Sequence, residues 1–422
     1  MKKKIIRNMV FISLGKSVSL LGSSVYTFAM GLYVLKITGS GLTFAFTLVL
    51  GTLPIVLINP LAGVIADRSN RKNIVIITDL LNGCFLFGIL FYSLFDGLGL
   101  TVIYASTFII NSTTVLFDIS LEASIPDMVT IDHLMGLNSL SKAIESAAAV
   151  LGPMLGGFVY IFTDVRVFIC LNAFSFIFSA IMACCVDFRL GIMANDGPAG
   201  LRRHSGFNIV EDIRRGIAYM KGSGEITGAF IFLAGLNFFM GFSVLVPLPY
   251  ILNNVLLLGS LNYGIIQAAF PIGALLGAVW IRQWNRDAGY MTILVKAAAV
   301  LAGSIILTAL PVLLPSVNIP NYILTAYYCA VMGIMGVAAA SIDIPLLYML
   351  QTKLPGDFRG RVLSLGMSMV KTASPLAFIL SGVLMDLLPI ATLPFAGGVL
   401  LLLYTVAYHK RGVAGLMQET PM

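Results

Sequence analysis

The chain has 422 residues, 58% of them apolar and 11% charged, with a formal charge of +7. Soluble globular domains run nearer about 45–50% apolar and 25% charged, so an ordinary soluble enzyme is excluded. The positive charge does not indicate nucleic acid, because the basic residues lie in short stretches between apolar runs rather than in one groove.

In chain order, Lys2, Lys3, Lys4 and Arg7 precede an apolar run too long for a signal-peptide core, with no small-residue cleavage site after it. That pattern predicts a retained first membrane span. A helix needs about 20 apolar residues to cross a bilayer, and twelve such runs are predicted. They fall at 9–35, 42–66, 74–95, 100–121, 139–162 and 166–186, then at 226–252, 263–284, 291–314, 322–342, 362–387 and 391–408. The short alternating segments of a membrane barrel do not occur. A polar segment with Arg189, Arg202, Arg203, Arg214, Arg215 and Lys221 separates the two sets, and 209–220 has the pattern of an amphipathic surface helix. The expected fold is all-α and integral to the membrane, with twelve transmembrane helices in two pseudo-symmetric six-helix bundles. Residues 1–187 form the first bundle, 188–225 a cytoplasmic linker and 226–422 the second.

Orientation follows from the basic residues. With the N-terminus inside, 20 of the 26 Lys and Arg fall on the cytoplasmic side and two, Lys36 and Arg166, on the other. Both termini are therefore expected in the cytoplasm of a cell-membrane protein. The two halves also echo each other. Ile125-Pro126-Asp127 and then Leu137-Asn138-Ser139-Leu140 form the loop before span five, and Leu354-Pro355-Gly356-Asp357 and then Leu363-Ser364-Leu365 the loop before span eleven. Repeated halves with a site near the midplane are a common transporter design.

The stretch Gly63…Asp67-Arg68…Arg71-Lys72 resembles the signature loop between spans two and three of the major facilitator superfamily. Asn70 stands where that family usually has Gly, a change expected to be tolerated because Asn also visits left-handed turns. An acid and several bases in a tight loop can make charge-assisted contacts with a neighbouring helix end, and those contacts can be made in one state and broken in another. Gly152-Pro153-Met154-Leu155-Gly156-Gly157 is similar to the kink motif of drug–proton antiporters, with Ala148 at the upstream glycine of the fuller motif. Leu14-Gly15, Ser19-Leu20-Leu21-Gly22-Ser23, Thr38-Gly39-Ser40, Pro60-Leu61-Ala62-Gly63, Asp79-Leu80, Phe117-Asp118, Asn138-Ser139 and Arg359-Gly360-Arg361-Val362 extend the resemblance to macrolide-efflux-like and enterobactin-exporter-like proteins. That branch implies alternating access and efflux coupled to proton entry, without naming a drug.

Ionisable groups inside spans are costly and are functional candidates by default. Lys16 is about 10 Å into span one and Lys371 about 13 Å into span eleven, by helical rise. Lys16 either serves the transport path or snorkels to the interface, and Lys371 is less able to snorkel; Lys296, nearer an end, is expected to be interfacial. Asp118 and Glu122 share a face at i and i+4. Glu145 follows Lys142 by three residues, so the two can pair on one helix. Glu145 is the first proton-coupling candidate, Asp118 the second, with Glu122 beside it; a gating ion pair is the competing role. Asp79 is expected to brace the signature loop. Tyr26, Met30, Tyr33, Asn111, Asn237, Phe238 and Gln267 are the cavity candidates, suited as a mostly apolar set to a bulky amphipathic solute.

No phosphate-binding loop occurs, and His133, His204 and His409 lack metal-site spacing. The cysteines (Cys84, Cys170, Cys184, Cys185 and Cys329) lie in apolar runs and read as small packing residues. The expectation is therefore a proton-driven exporter without cofactor or metal, functional as a monomer among membrane lipids. Export of a siderophore, metabolite or lipid is the alternative, and a non-transporting membrane sensor a remoter one.

Overall fold

Helices follow one another almost without interruption in the computed structural model, which describes residues 2–188, 214, 217–220, 222–283, 290–313, 319–354 and 356–418. They are α1 (Lys2–Thr38), α2 (Gly41–Arg68), α3 (Arg71–Asp96), α4 (Leu100–Met128), α5 (Ile131–Val159) and α6 (Val165–Cys185). Next, α7 begins at Gly224–Met240 and continues through Gly241–Leu245, Pro247–Tyr250 and Ile251–Val255. The last five are α8 (Gly259–Gln283), α9 (Tyr290–Leu313), α10 (Asn321–Lys353), α11 (Gly356–Leu387) and α12 (Thr392–Gln418). No strand occurs among the described residues. The expected amphipathic helix at 209–220 and His204 fall largely or wholly outside them.

Eleven of these helices are long and apolar enough to cross a membrane. The exception is α5, whose 29 residues span about 43 Å, more than a hydrocarbon core of about 30 Å. Lys142, Glu145 and the glycines around Pro153 dilute its hydropathy. With α5, twelve long helices lie among the described residues.

Several ends differ from expectation. The stretch Ile125-Pro126-Asp127, predicted as loop, lies inside α4. Pro126 is in the last turn, where losing one amide donor costs little continuity; the chain turns extended only at Val129. Likewise α10 continues through Pro345 to Lys353, and α11 begins at Gly356. A larger difference lies in α7, which widens into π-helical turns at Gly241–Leu245 and Ile251–Val255 on either side of Pro247 and Pro249. Proline disrupts regular helical hydrogen bonding, and the Phe242 carbonyl at the first wide turn accepts a hydrogen bond from Ser381 Oγ at 2.7 Å. Three of the five cysteines depart from expectation: Cys84, Cys184 and Cys185 are exposed, whereas Cys170 and Cys329 are partly buried.

The chain divides into two compact units, Met1–Ile37 with Leu50–Gly206, and Thr38–Val49 with Phe207–Met422. In the first unit small residues let α1 lie close to two neighbours. A Cβ at Gly152 or Gly156 on α5 would fall 2.0 Å from Ser24 Oγ or 2.8 Å from the Phe28 ring. On the other side, a Cβ at Gly22 would fall 2.4 Å from Ser175 Oγ on α6. An apolar cluster including Ile5, Val75, Leu121, Met128 and Val186 closes the end of this unit where the chain begins. There the buried Asn8 amide donates to the Met128 carbonyl at 3.1 Å and the Asp187 carbonyl at 2.7 Å.

The second unit uses closer backbone contact. A Cβ on Gly273 of α8 would sit 2.1 Å from the Gly333 carbonyl of α10, and one on Gly336 2.1 Å from that of Phe270. Small residues at such spacing permit helix approach in lipid. Tyr328 ties α10 to α9 through the Thr308 carbonyl at 3.0 Å. Tyr404 of α12 donates to the Ile231 carbonyl of α7 at 2.8 Å. The start of α2 also belongs to this unit: Leu42 and Ala45 lie against Gly382 of α11.

Candidate functional site

A charged cluster inside the first unit joins residues that the sequence presents singly. Lys16 of α1 donates to Glu145 Oε1 of α5 at 2.8 Å, and Lys142 donates to Oε2 at 2.6 Å. The Lys16 side chain is only 10% exposed and that of Glu145 33%, whereas Lys142 is 76% exposed. Lys16 therefore does not snorkel; it is a buried cation held by a carboxylate. The Lys142–Glu145 pair uses the i,i+3 spacing of one helix, but the Lys16 contact depends on the register between α1 and α5. That register is parallel: Lys16 meets Glu145, Ser24 meets Gly152 and Phe28 meets Gly156.

Asp118 of α4 lies in electrostatic range of Lys16, Glu122 and Glu145. Both Asp118 and Glu122 are exposed, and among the described residues neither takes a hydrogen bond or an ion pair. The cluster thus sets two cations against three carboxylates, one of which is clamped and two open. A clamped carboxylate next to an open one can exchange partners when a proton or a cationic solute arrives, because either changes the charge that Lys16 must balance.

The signature-loop bases form a second constellation. Arg71 donates to the Ala66 carbonyl at 3.2 Å, the Ala123 carbonyl at 2.8 Å and Asp127 Oδ2 at 3.2 Å. Lys72 donates to the Cys184 and Val186 carbonyls at 3.0 and 2.7 Å. Each cation sits at a helix C-terminal end, Arg71 on α4 and Lys72 on α6, where unpaired carbonyls and the helix dipole favour positive charge. Asn70 is not in a left-handed turn: its φ of −71° and ψ of 105° are extended, and its side chain caps α3 by accepting from the Lys72 amide. Capping, rather than left-handed freedom, is the reason Asn serves there. Gly63, Asp67 and Arg68 fall within α2, and the surroundings of the Asp67 and Arg68 side chains lie outside what the structure describes. Asp79 does not brace the loop: it is 1% exposed and neither carboxylate oxygen has a hydrogen-bond partner.

In the kink motif Gly152, Gly156 and Gly157 are buried, and Pro153 lies inside the helix. The cavity candidates are divided between the two units. Tyr26 and Met30 are buried in the first, the Tyr26 hydroxyl beside Ser106 without hydrogen-bond geometry. Tyr33 is half-buried, and Asn111 bonds back to the Thr107 carbonyl. In the second unit Asn237 bonds back to Leu233, Phe238 stacks on Phe242, and Gln267 donates to the Tyr263 hydroxyl. Lys371 is exposed, in electrostatic range of Asp343 on α10. Asp343 is a candidate that sequence reasoning missed. The shift that lays Ser139-Leu140 on Ser364-Leu365 also lays Asp118 on Asp343, so the repeat carried the signal.

The transmembrane secretion effector family matches residues 2–419. Macrolide efflux protein A of Streptococcus pyogenes is 24% identical over 376 residues, covering 88% of each chain. Multidrug efflux pump Tap of Mycolicibacterium fortuitum is 25% identical over 382 residues, covering 86% of each. Among solved structures, a bacterial homologue of the iron transporter ferroportin in its inward-facing state superposes with a TM-score of 0.71 at 18% identity, covering 96% of this chain and 99% of that one. A D-xylose–proton symporter gives 0.69 at 12% identity, with 96% and 97% covered. At such identities the structures establish the fold alone, the twelve-helix architecture of the major facilitators. The chain belongs to the transmembrane secretion effector family of that superfamily, as a membrane efflux transporter and not an enzyme.

Proposed function

We propose that this protein exports an amphipathic organic compound across the cell membrane in exchange for protons, by alternating access, with both termini in the cytoplasm. The observation that carries the coupling is the Lys16–Glu145–Lys142 clamp beside the open Asp118. A proton on Asp118 would remove one of the negative charges balancing Lys16 and tighten its hold on Glu145. Loss of that proton would give Lys16 a competing partner. The arrangement therefore links protonation on α4 to the contact between α1 and α5, which is the kind of linkage an antiporter needs. The names of the macrolide and multidrug efflux relatives favour a bulky, largely apolar solute over a sugar or an ion, and the excess of Lys and Arg in the segments assigned to the inside favours the orientation.

The test is expression in a host stripped of its own pumps, with efflux of ethidium and a panel of macrolides followed with and without a protonophore. Efflux that stops when the proton gradient collapses is expected. Continued uphill efflux would refute proton coupling, and no tolerance to any amphipathic compound would move the substrate to a siderophore, metabolite or lipid.

A further inference from the structure

Asp79 of α3 is the least accommodated charged group in the described chain. Its side chain is buried at 1% exposure and both oxygens lack a hydrogen-bond partner. Its surroundings come from two helices. From α6, Ser179 lies beside it without meeting hydrogen-bond geometry; from α4, Asp118 is the titratable group that acts on it. On its own helix Arg71 and Lys72 lie two turns away, and their contacts go to α4 and α6 instead. The same three helices leave further buried polar atoms unpaired: Asn82 Nδ2 on α3, Ser120 Oγ on α4 and Asn172 Nδ2 on α6. An ionised carboxylate in a dry interior, with no cation beside it and no hydrogen bond formed, is costly to keep charged.

We infer that Asp79 is a second proton-carrying site of the transporter, neutral in this conformation and exchanging its proton with solvent by way of the exposed Asp118. The step moves one H+: the O–H of Asp79 breaks, an O–H forms on Asp118 or on an entering water, and a carboxylate is left on Asp79. That carboxylate needs a partner, and unpaired donors such as the Asn82 amide stand on its own helix one turn on. Discharge of the proton is thereby tied to rearrangement along the α3–α4–α6 seam. The inference rests on the proton-antiport reading above and adds to it a store of charge apart from the Lys16–Glu145 clamp.

Two measurements separate this site from that reading. Infrared spectra of the purified protein at neutral pH should contain the carbonyl stretch of a protonated carboxyl that is lost in Asp79→Asn and retained in Asp118→Asn. A flat difference spectrum for Asp79→Asn overturns the inference whatever drives transport. In proteoliposomes loaded with ethidium, Asp79→Asn should insert normally, keep gradient-free exchange of the dye and lose accumulation driven by a pH gradient, while Asp79→Glu recovers part of it. Asparagine resembles a neutral carboxylic acid in size and charge, so failure of Asp79→Asn to insert or fold also counts against the proposal. So does accumulation at the wild-type level, or dependence on sodium rather than pH. If the wild type itself shows no pH-driven accumulation while the infrared band is present, proton antiport fails and proton occupancy of Asp79 stands.

Discussion

Replacing Glu145 by Gln tests the centre of the charged cluster. The change removes the counter-charge of Lys16, whose side chain is 10% exposed, and leaves that cation with a neutral amide. Breaking a buried pair from one side costs about 3–5 kcal/mol. Because a third of the Glu145 side chain is open, screening lowers the expected loss to about 2–3 kcal/mol. The Lys142 contact adds little: at 76% exposure it behaves as a surface pair worth about 0.3–0.5 kcal/mol. Lys16→Gln alone should cost less, since Glu145 keeps Lys142 and some water. The double variant Lys16→Gln/Glu145→Gln should regain stability over Glu145→Gln, because no unpaired charge remains. Thermal unfolding of the purified protein in detergent, read by circular dichroism across this cycle, gives an expected coupling of about 1–2 kcal/mol. Single effects that simply add, within about 0.5 kcal/mol, would show that the two side chains do not pair and would remove the basis for the proposed switch.

Other substitutions probe the scaffold. Gly156→Val places carbon where the Phe28 ring stands, within 2.8 Å for Cβ alone, and should cost about 1–3 kcal/mol of overpacking, seen as lower yield and melting temperature. Arg71→Ala strips the end of α4 of two donors and should lose about 1.5–3 kcal/mol, with Arg71→Lys recovering only part since one ammonium cannot reproduce the fork; the same unfolding assay reads both. Ser381→Ala leaves the buried Phe242 carbonyl without its side-chain donor and should cost about 1–3 kcal/mol, whereas Ser→Ala at exposed positions should fall within about 0.5 kcal/mol. Lys371→Gln, at an exposed residue without an ion pair, should leave stability near that of the wild type while changing efflux of charged dyes more than neutral ones; equal effects on both would exclude a charge-selecting role.

Much of the architecture is legible in the residues because bilayer thickness sets the length of each apolar run and basic residues punctuate them. The Lys142–Glu145 pair is legible too, being a matter of spacing along one helix. The partner of Lys16 is not, since it depends on how α1 and α5 slide against each other. The small residues Gly152 and Gly156 fix that register, and only three-dimensional contact reveals that they face Ser24 and Phe28. Helix ends extend past the expected ones at Pro126, which falls in the last turn of α4, and at Pro345, through which α10 continues to Lys353. The wide turns of α7 leave no reliable mark in a string of apolar letters. Asp79 looks like a loop brace because it follows the loop closely in sequence, yet its side chain is buried beside Ser179 of α6.

The two kinds of contact between α1 and α5 resist separation differently. Lys16 and Ser24 are eight residues apart, about 12 Å along the helix, so the ionic end and the glycine end of the pair are well separated. Parting the tight glycine end exposes interlocked atoms at once, while the ionic end can open by handing each charge a new neighbour. The pair is therefore built like a clothes-peg, sprung at the glycines and released at the charges.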